Sequence, residues 1–264
     1  MCSTWKGKSV TDWQKKWGVP LLEAHESLPS TNSRARELLE TGVAPFSTVI
    51  AETQTEGRGR NGNNWFSPKG MGLWMSFVLR DVAKSSAKLI PTLAGLAVLD
   101  ALEKASGSSR LGIKWPNDIE ADGRKIAGIL CETFRKDSAV VGIGINLTQS
   151  SDDFKNLSLE RAGSVAMATG RVLEPSGITG SIIAHCKDLL NPLPTILNPE
   201  LVEKLKNKST LVGTRVLLTN GLEGSVVGFS PLGAMLVMVQ ESLYQINSTG
   251  DIRRYIPGSN GKAD

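Results

Sequence analysis

The sequence has few of the residues that most often mark a catalytic or metal centre. Its two histidines, His25 and His185, are far apart in the chain and support neither a catalytic dyad nor a metal-ligand cluster. The three cysteines, Cys2, Cys131 and Cys186, are odd in number and widely spaced. This pattern excludes a disulfide framework and a zinc knuckle, and it favours a reducing cytoplasm.

Long apolar runs and a strong charge bias are also missing. The longest purely apolar run, Ala234–Val239, is far shorter than a membrane span, and Met1–Gly7 shows no apolar core of a secretory signal. The 30 Lys and Arg residues against 26 Asp and Glu residues leave a net charge of +4. Because acidic and basic residues mostly alternate, we expect no membrane partner and no DNA partner.

Glycine is the one residue type in excess. The chain has 27 glycines in 264 residues, about 10% against a usual value of about 7%. Hydrophobic residues make up 40% and charged residues 21%, which is typical of a chain that buries a core. The length fits one large domain, or one domain with a small companion.

The spacing of apolar and turn residues predicts a chain that mixes helices and strands. Strands are predicted at Leu21–Leu28, Ser47–Glu52, Gly72–Arg80, Leu111–Trp115, Lys125–Thr133 and Ala139–Leu147, and helices from Ser30 or Thr31 to Gly42 and at Lys88–Ser106, Thr179–Asn191 and Asn198–Lys208. From Gly213 onward, short strands alternate with turns, which predicts a small all-β barrel as a second domain. The predicted divisions are an N-terminal extension that packs as one helix (1–20), a catalytic domain (21–209), the β domain (210–258) and a tail (259–264).

The segment from Gly57 to Gly62 reads Gly-Arg-Gly-Arg-Asn-Gly and matches the dinucleotide-binding pattern G-x-G-x-x-G. That fingerprint requires a helix to start at the loop, and the following segment, Asn63–Pro68, does not begin a helix. Arg58 and Arg60 indicate guanidinium groups that bind phosphate or carboxylate. A solvated, flexible loop is the alternative, and the residues alone leave both interpretations open.

A second segment, Lys114–Asp118, ends a strand at a proline and then presents an amide and a carboxylate. The Asp118 carboxylate could bind Mg²⁺, accept a hydrogen bond or act as a base. Ordinary turn chemistry explains the same residues, since Asn and Asp are favoured in turns.

Two further segments place small or charged residues in apolar strands. Lys125 opens one such strand, where it is either a point-charge clamp for an anion or an ordinary solvent-facing lysine. Gly128, Gly142 and Gly144 indicate either close approach of the backbone to a flat ligand or tight packing between strands.

These four segments occur in this order, together with Ser30-Thr31-Asn32 and Glu52-Thr53-Gln54 upstream. As a set they resemble the biotin protein ligases, or biotin–[acetyl-CoA-carboxylase] ligases. The motifs cover roughly residues 22–150, and the β-rich region from Gly213 is similar to the family's small SH3-like C-terminal domain. The resemblance implies an α+β catalytic domain, with a mixed β-sheet flanked by helices as in class II aminoacyl-tRNA synthetases. It also implies the short form, which has no N-terminal DNA-binding domain.

The resemblance implies a reaction in two steps. Biotin and MgATP give biotinyl-5′-AMP and pyrophosphate, and a lysine of an apo biotin carboxyl carrier domain then takes the biotinyl group. The implied partners are therefore biotin, ATP with Mg²⁺, and the carrier domain. Relatives occur both as monomers and as sheet-to-sheet dimers, so a homodimer stays open.

The resemblance also assigns roles to residues. The implied catalytic residues are Lys125, Arg60 and Asp118, with Asp118 also the candidate Mg²⁺ contact. The implied biotin-binding residues are Ser30, Thr31, Asn32, Gln54, Arg58, Gly59, Arg60, Lys125, Gly128, Gly142 and Gly144. The implied ATP- or adenylate-binding residues are Gly57, Arg58, Arg60, Trp65, Asn117, Lys125 and Asn146.

Two departures and several rival functions accompany this assignment. Asn61 and Asn63 stand where the family usually has basic residues, which removes positive charge from the loop. An arginine near the C-terminus often approaches the nucleotide, and Arg253 or Arg254 is the candidate here.

A lipoate–protein ligase is the nearest rival, although lipoate has no ureido group for Thr31 and Gln54 to bind. A nucleotide- or nucleic-acid-binding module and an adenylate sensor without transfer activity are the others.

Overall fold

The structure is a computed structural model that describes residues 1–134 and 137–256. Residues 257–258 of the expected β domain and the expected tail at 259–264 lie outside the described residues. The elements are β1 (Thr4–Trp5), β2 (Lys8–Ser9), α1 (Val10–Trp17), β3 (Leu22–Leu28), α2 (Thr31–Glu40), β4 (Thr48–Gln54), β5 (Gly72–Leu79), α3 (Lys84–Ala87), α4 (Ile90–Ser106), β6 (Gly112–Lys114), β7 (Asp118–Ala121), β8 (Arg124–Phe134), β9 (Ser138–Asn146), α5 (Ser151–Lys155), α6 (Val165–Thr169), α7 (Pro175–Leu190), α8 (Pro199–Lys208), β10 (Arg215–Leu218), β11 (Glu223–Phe229), β12 (Met235–Val239), β13 (Ser242–Ile246) and β14 (Ile252–Ile256).

Two larger sheets organise these elements. The first has seven strands in the order β3-β4-β5-β9-β8-β7-β6, with β3 parallel to β4 and the other neighbours antiparallel. The second has five antiparallel strands in the order β13-β12-β11-β10-β14. The expected α+β class, with a mixed sheet and a C-terminal antiparallel β domain, is confirmed. None of the described helices is both long and apolar enough to cross a membrane.

Most predicted elements are present, and the differences lie at element ends and in short elements that went unpredicted. The predicted helix start at Thr179 is wrong, because α7 begins at Pro175. A proline at the first helical position lacks only an N–H that would have no partner there, and its fixed φ suits the helix. In the N-terminal region the predicted single helix is α1, but the preceding strands β1 and β2 went unpredicted, since two-residue strands have no readable period.

Helices cover the two faces of the seven-stranded sheet unequally. On one face α4 and α7 pack over a large apolar core that includes Val141, Ile143 and Ile145 of β9. On the other face the short helix α2 covers a small cluster that includes Val140 of β9 and Val78 of β5. Because successive strand residues alternate between faces, Gly142 and Gly144 follow Val140 on the α2 face.

The glycines form a bare strip beside α2. Gly128 of β8 lies opposite Gly144 of β9, and Gly142 lies opposite Ser76 of β5. This part of the sheet therefore presents backbone where other strands present side chains. The candidate site lies on this strip.

The N-terminal region packs on the body through three tryptophans. Trp5, Trp13 and Trp17 are buried, and the Trp13 and Trp17 rings stack with their centroids 5.0 Å apart. Trp17 lies against α7, where a Cβ placed on Gly180 would be 2.6 Å from its Cδ1 atom. The close approach of α1 to α7 therefore requires glycine at this position.

Replacing Gly180 by alanine should destabilise the protein by about 1–3 kcal/mol, because the added methyl group overpacks the contact with Trp17. This loss opposes the gain in helix propensity that the same change usually brings. Gly177→Ala, on the same helix with nothing within 4 Å of its added Cβ, is the matched control and should be neutral or stabilising. Urea unfolding of both variants measures the difference, and equal stabilities would contradict the packing argument.

Candidate active site

One pocket on the glycine strip brings together most of the predicted site residues. The N-terminus of α2, the end of β4, the loop after β4 and strands β8 and β9 supply its walls. The predicted residues that line it are Ser30, Thr31, Asn32, Gln54, Arg58, Gly59, Arg60, Trp65, Asn117, Lys125, Gly128, Gly142 and Gly144. Asp118 and Asn146 line an adjoining, larger cavity, which shares Gly59, Arg60, Trp65, Asn117 and Lys125 with the pocket.

The loop from Gly57 to Ser67, called the ligand loop below, folds as a narrow hairpin. The Trp65 N–H donates to the Gly57 carbonyl and the Gly59 N–H donates to the Asn63 carbonyl, each at 2.7 Å. The hairpin turns at Asn61, whose φ of 56° is left-handed. Asn tolerates this conformation better than a long basic side chain, which gives Asn61 a structural reason in this chain. Gly57 is also required, because a Cβ there would overlap the Trp65 carbonyl oxygen.

The cations of the motifs reach the pocket from different elements, and each has an acidic or amide partner. Arg60 Nη1 donates to Asn117 Oδ1 at 2.7 Å, which ties the ligand loop to the Lys114–Asp118 segment. Lys125 Nζ lies 2.8 Å from Asp118 Oδ1. The sheet therefore places a lysine and an arginine side by side, held by two neighbouring residues of one motif.

Arg58 takes a different partner. Its Nη2 lies 3.2 Å from Glu132 Oε2 on β8, and both side chains remain partly exposed. An ion pair of this kind contributes little to stability. A buried or multivalent anion could therefore take Arg58 from Glu132 at small cost.

The Trp65 indole lies on the glycine floor. Its ring is close enough to fill the space that a Cβ on Gly144 would take, and its Cζ3 atom would be 3.2 Å from a Cβ on Gly128. Lys125 Nζ lies 5.1 Å from the ring centroid, within cation–π distance. The indole Nε1 is buried without a hydrogen-bond partner. A buried donor without a partner marks a place where a ligand acceptor would be stabilised.

Hydrogen bonds already occupy the side chains beside the floor. Thr31 N donates to Gln54 Oε1 at 2.8 Å, and Asn32 Nδ2 donates to Glu132 Oε2 at 2.7 Å. Ser30 is the N-terminal cap of α2 by position, but its side chain makes no capping hydrogen bond. The amides here are therefore held in one orientation before any ligand arrives.

The larger cavity receives side chains from both domains. Thr249 and Tyr255 of the C-terminal β domain line it together with Lys114 and Asp118. Arg253 and Arg254, the expected nucleotide contacts, are exposed, and Tyr255 is the residue of β14 that faces the cavity.

The electrostatics of this cavity act on the Tyr255 phenol. Burial raises its pKa, and the nearby carboxylates of Glu120 and Asp118 raise it further. Lys114 Nζ lies 5.5 Å from the centroid of the same ring. Tyr255 is therefore a neutral hydroxyl at physiological pH, able to donate or accept a hydrogen bond.

A metal held by the protein itself finds little support here. Asp118 Oδ1 already accepts from Lys125 and from Asn117 Nδ2, the latter at 3.1 Å. Across residues 1–134 and 137–256, no group of three or more His, Cys, Asp or Glu side chains could hold an ion. Asn146 is likewise engaged, since its Nδ2 donates to the Gly163 carbonyl at 3.0 Å.

Sequence reasoning missed three residues of this region: Ser76, Glu132 and Tyr255. Ser76 is a single buried hydroxyl in the apolar strand β5, and Glu132 is a carboxylate two positions after Leu130 on the pocket face of β8. A polar residue that interrupts an apolar strand on the face of known site residues was the available signal for both. Tyr255 had no such signal, because only the tertiary fold brings β14 to the cavity.

An ion pair between the buried Glu23 and the partly exposed Arg34 fixes α2 to the edge strand β3. Arg34 donates from Nε and Nη2 to the two carboxylate oxygens of Glu23, at 2.8 and 2.9 Å. The Arg34 hydrogen bonds lower the pKa of Glu23 below its ordinary 4.5, with a smaller contribution from His25, while burial acts in the opposite direction. This pair holds the helix whose first residues enter the pocket.

Glu23→Gln should destabilise the protein by about 1–3 kcal/mol at pH 7, since hydrogen bonds to a charged group are lost. Because the pKa of Glu23 is depressed in the folded state, its contribution is present above pH 4.5 and is lost as the pH falls below that value. The variant should therefore lose less stability than the parent on acidification. Urea unfolding between pH 7 and pH 3 tests this, with the exposed Glu37→Gln, which meets the same arginine, as control.

Comparison with known proteins agrees with the fold and identifies the family. Residues 24–148 match the model of the Biotin/lipoate A/B protein ligase family. The bifunctional ligase/repressor BirA of Bacillus spizizenii is 32% identical over 229 residues, 84% of this chain and 70% of that protein. The biotin–[acetyl-CoA-carboxylase] ligase of Paracoccus denitrificans is 36% identical over 171 residues, 62% of this chain and 67% of that protein.

Comparison with solved structures points to the same family of proteins. The biotin protein ligase of Aquifex aeolicus, in complex with biotin and ATP, superposes with a TM-score of 0.73 at 27% identity, covering 90% of this chain and 99% of that one. The chain therefore belongs to the biotin protein ligase family. The expected enzyme class, a biotin–[acetyl-CoA-carboxylase] ligase, is confirmed at the level of that family.

Proposed function

We propose that the chain binds biotin in the pocket and ATP in the adjoining cavity, forms biotinyl-5′-AMP, and transfers biotin to a lysine of a biotin carboxyl carrier domain. The observation that carries the proposal is the convergence of Arg60 and Lys125 at the border of the two cavities. A carboxylate and an α-phosphate repel each other, and fixed cations between them remove that repulsion.

The proposed roles follow from where each side chain lies. Lys125 stabilises negative charge that develops between the carboxylate and the α-phosphate, and Asp118 holds the ammonium at this position. Arg60, anchored on Asn117, keeps the ligand loop over the intermediate and limits entry of water, which would hydrolyse the anhydride. Arg58, Gly59 and the glycine floor complete the biotin pocket, and Trp65 packs on the nucleotide side.

Mg²⁺ enters this scheme with the phosphates of ATP rather than in a cage of protein ligands. Mg²⁺ keeps several waters and is usually bound by substrate phosphates with one or two carboxylates. Asp118 is the carboxylate that lines the larger cavity beside Lys125. It is therefore the proposed protein contact for the metal.

The cysteines support a cytoplasmic location for this protein. Cys2, Cys131 and Cys186 carry free thiols, and burial with the nearby Glu132 charge raises the pKa of Cys131 to about 12. A thiol with a raised pKa is inert, so Cys131 suits a structural role in a reducing cytoplasm. A homodimer stays a proposal, tested by sedimentation with and without biotin.

Incubation of the protein with MgATP, biotin and an apo carrier domain, read by the mass of the carrier, tests the function. A biotinyl adduct on one lysine is the expected result. A parallel incubation with lipoate addresses the rival ligase, and a lipoyl adduct alone would replace the proposal. Steep loss of oligonucleotide binding with added salt would instead support a nucleic-acid module.

Lys125→Ala should slow biotinyl-5′-AMP formation about a hundredfold or more, because a cation aimed at developing charge is lost. Pyrophosphate release during a single turnover measures this step. Lys204→Ala is the matched control, since Lys204 also pairs with an aspartate, Asp100 at 2.6 Å, but lies outside both cavities. Near-parental rates in Lys125→Ala with an intact fold would remove Lys125 from the chemistry.

Arg60→Gly should release biotinyl-5′-AMP faster, because the ligand loop loses its hydrogen bond to Asn117. The adenylate then acylates lysines of bystander proteins, so biotin on added serum albumin measures the leak. Arg215→Gly removes an arginine that pairs with Glu223 in the β domain and should leave retention unchanged. Unchanged retention in Arg60→Gly as well would show that Arg60 does not hold the loop.

A further inference from the structure

A chain of hydrogen bonds crosses the pocket floor from β8 to the end of β4. Glu132 Oε2 accepts from Asn32 Nδ2 at 2.7 Å, and Asn32 Oδ1 lies 2.6 Å from Ser76 Oγ. Ser76 Oγ lies 2.7 Å from Thr31 Oγ1, which in turn lies 3.1 Å from Gln54 Oε1. The three central residues are almost fully buried, with relative exposures of 0% for Ser76, 3% for Thr31 and 4% for Asn32.

One end of the chain is fixed by Glu132. A carboxylate accepts hydrogen bonds, so the Asn32 amide must turn its nitrogen toward Glu132 and its oxygen toward Ser76. The Leu130 carbonyl also faces Asn32 Nδ2, but at 3.4 Å it is too distant to hold the amide by itself. Glu132 is therefore the group that sets the orientation of Asn32.

The other end of the chain is fixed at Gln54, where two hydrogen bonds determine which way the side-chain amide is turned. The Thr31 backbone N–H donates to Gln54 Oε1 at 2.8 Å, and a backbone N–H cannot accept. Gln54 Nε2 donates to Ser67 Oγ at 2.8 Å, and Ser67 Oγ donates to the Trp65 carbonyl at 3.2 Å. The Gln54 amide oxygen therefore faces Thr31, so both ends of the chain present acceptor oxygens.

This chain of hydrogen bonds has one hydroxyl hydrogen fewer than it has oxygen–oxygen contacts. Three oxygen–oxygen contacts separate Asn32 Oδ1 from Gln54 Oε1, but only Ser76 and Thr31 carry a hydrogen between them. Ser76 must donate to Asn32, because the amide oxygen cannot donate. The single Thr31 hydroxyl hydrogen then has two acceptors within reach, and it occupies the shorter contact, to Ser76 at 2.7 Å, rather than the contact to Gln54 at 3.1 Å. The contact between Thr31 Oγ1 and Gln54 Oε1 is left without a hydrogen, and both residues line the pocket.

We propose that Glu132 is a positioning residue: it sets the direction of this chain so that Thr31 and Gln54 together require one N–H donor from the ligand. The inference rests on the proposed function, because the ureido ring of biotin carries such N–H groups. The dithiolane of lipoate has none and would leave the oxygen pair unsatisfied. Sites built around a substrate N–H or O–H discriminate strongly against analogues that lack it.

Two different substitutions supply the missing hydrogen to the contact between Thr31 and Gln54. In Glu132→Ala the Asn32 amide can turn and donate to Ser76, so Ser76 donates to Thr31 and Thr31 to Gln54. In Ser76→Ala the Thr31 hydroxyl hydrogen is released for Gln54. The second variant does not touch Arg58, so it separates the hydrogen-bond argument from the loss of the Arg58–Glu132 ion pair.

Calorimetric titration of the full chain with biotin tests the first consequence. Both variants should raise the biotin Kd about five- to tenfold, the effect of one neutral hydrogen bond. Glu52→Ala is the matched control, because Glu52 is a half-buried carboxylate on β4 paired with Lys6 at 2.9 Å and outside the chain of hydrogen bonds. Its Kd should stay within about twofold of the parent. Parental Kd values in both test variants would overturn the proposal.

Biotin analogues methylated at one or the other ureido nitrogen lack one N–H donor of the ligand. They distinguish the loss of that donor from a change in how the ligand packs in the pocket. In the parent, at least one analogue should bind about tenfold or more weakly than biotin. In Ser76→Ala this penalty should shrink at least threefold, because the oxygen pair no longer needs the ligand hydrogen. A merely steric effect of the methyl group would leave the loss of affinity the same in the parent and in Ser76→Ala. That outcome would overturn the proposed role of the hydrogen-bond chain.

The result also separates this inference from the proposed function. If the parent does not bind biotin at all, the proposed function is wrong. If the parent binds biotin and the analogue penalty is the same in parent and variants, only the role of Glu132 is wrong. Thermal unfolding of each variant verifies its fold, and Ser76→Ala carries the test if Glu132→Ala does not fold.

Discussion

The site depends on one constraint: side chains must lie directly on the backbone of the central sheet. Gly142 leaves room for the Asn32 amide, and Gly144 leaves room for the Trp65 indole. A methyl group at either position would overlap those atoms. The start of α2 and the Trp65 end of the ligand loop thus reach the pocket floor only because these Cβ atoms are absent. The unequal covering of the sheet, with a short helix on this face and two long ones behind it, keeps the strip accessible while the opposite face supplies the core.

The ligand loop is fastened to the sheet at both of its ends. Near its start Arg58 meets Glu132 on β8, and near its finish Ser67 meets Gln54 at the end of β4. Arg60 adds a third attachment, on Asn117. The Arg58–Glu132 ion pair is the most exposed of these attachments and uses a cation that an anionic ligand can bind. Binding can therefore replace this contact, while the Arg60 and Ser67 attachments keep the loop in register with the pocket.

Much of this could be read from the sequence, and the exceptions have physical reasons. Local signals identified α2, with Ser30 before it and Gly42 after it, and they located Arg58, Arg60, Lys125 and the strand glycines. Glu132 escaped although its position two residues after Leu130 on β8 was readable, because a carboxylate near the end of a strand usually faces solvent. The tertiary fold then shows its contact with Asn32. Tyr255 escaped because its place beside Asp118 depends on how the β domain docks, which no local pattern encodes. The assigned roles of the site residues stay predictions.

The Trp65 indole, whose Nε1 is buried on the glycine floor, affects how tightly a ligand can bind. The ring rests on the same bare backbone over which a flat ligand must lie, so the protein competes with its own ligand for that surface. The apparent affinity is then the intrinsic affinity multiplied by the fraction of molecules in which the ring has moved aside. A first ligand that displaces the ring would spare a second one that penalty. Ordered binding could thus arise from a single side chain, without any change of domain arrangement.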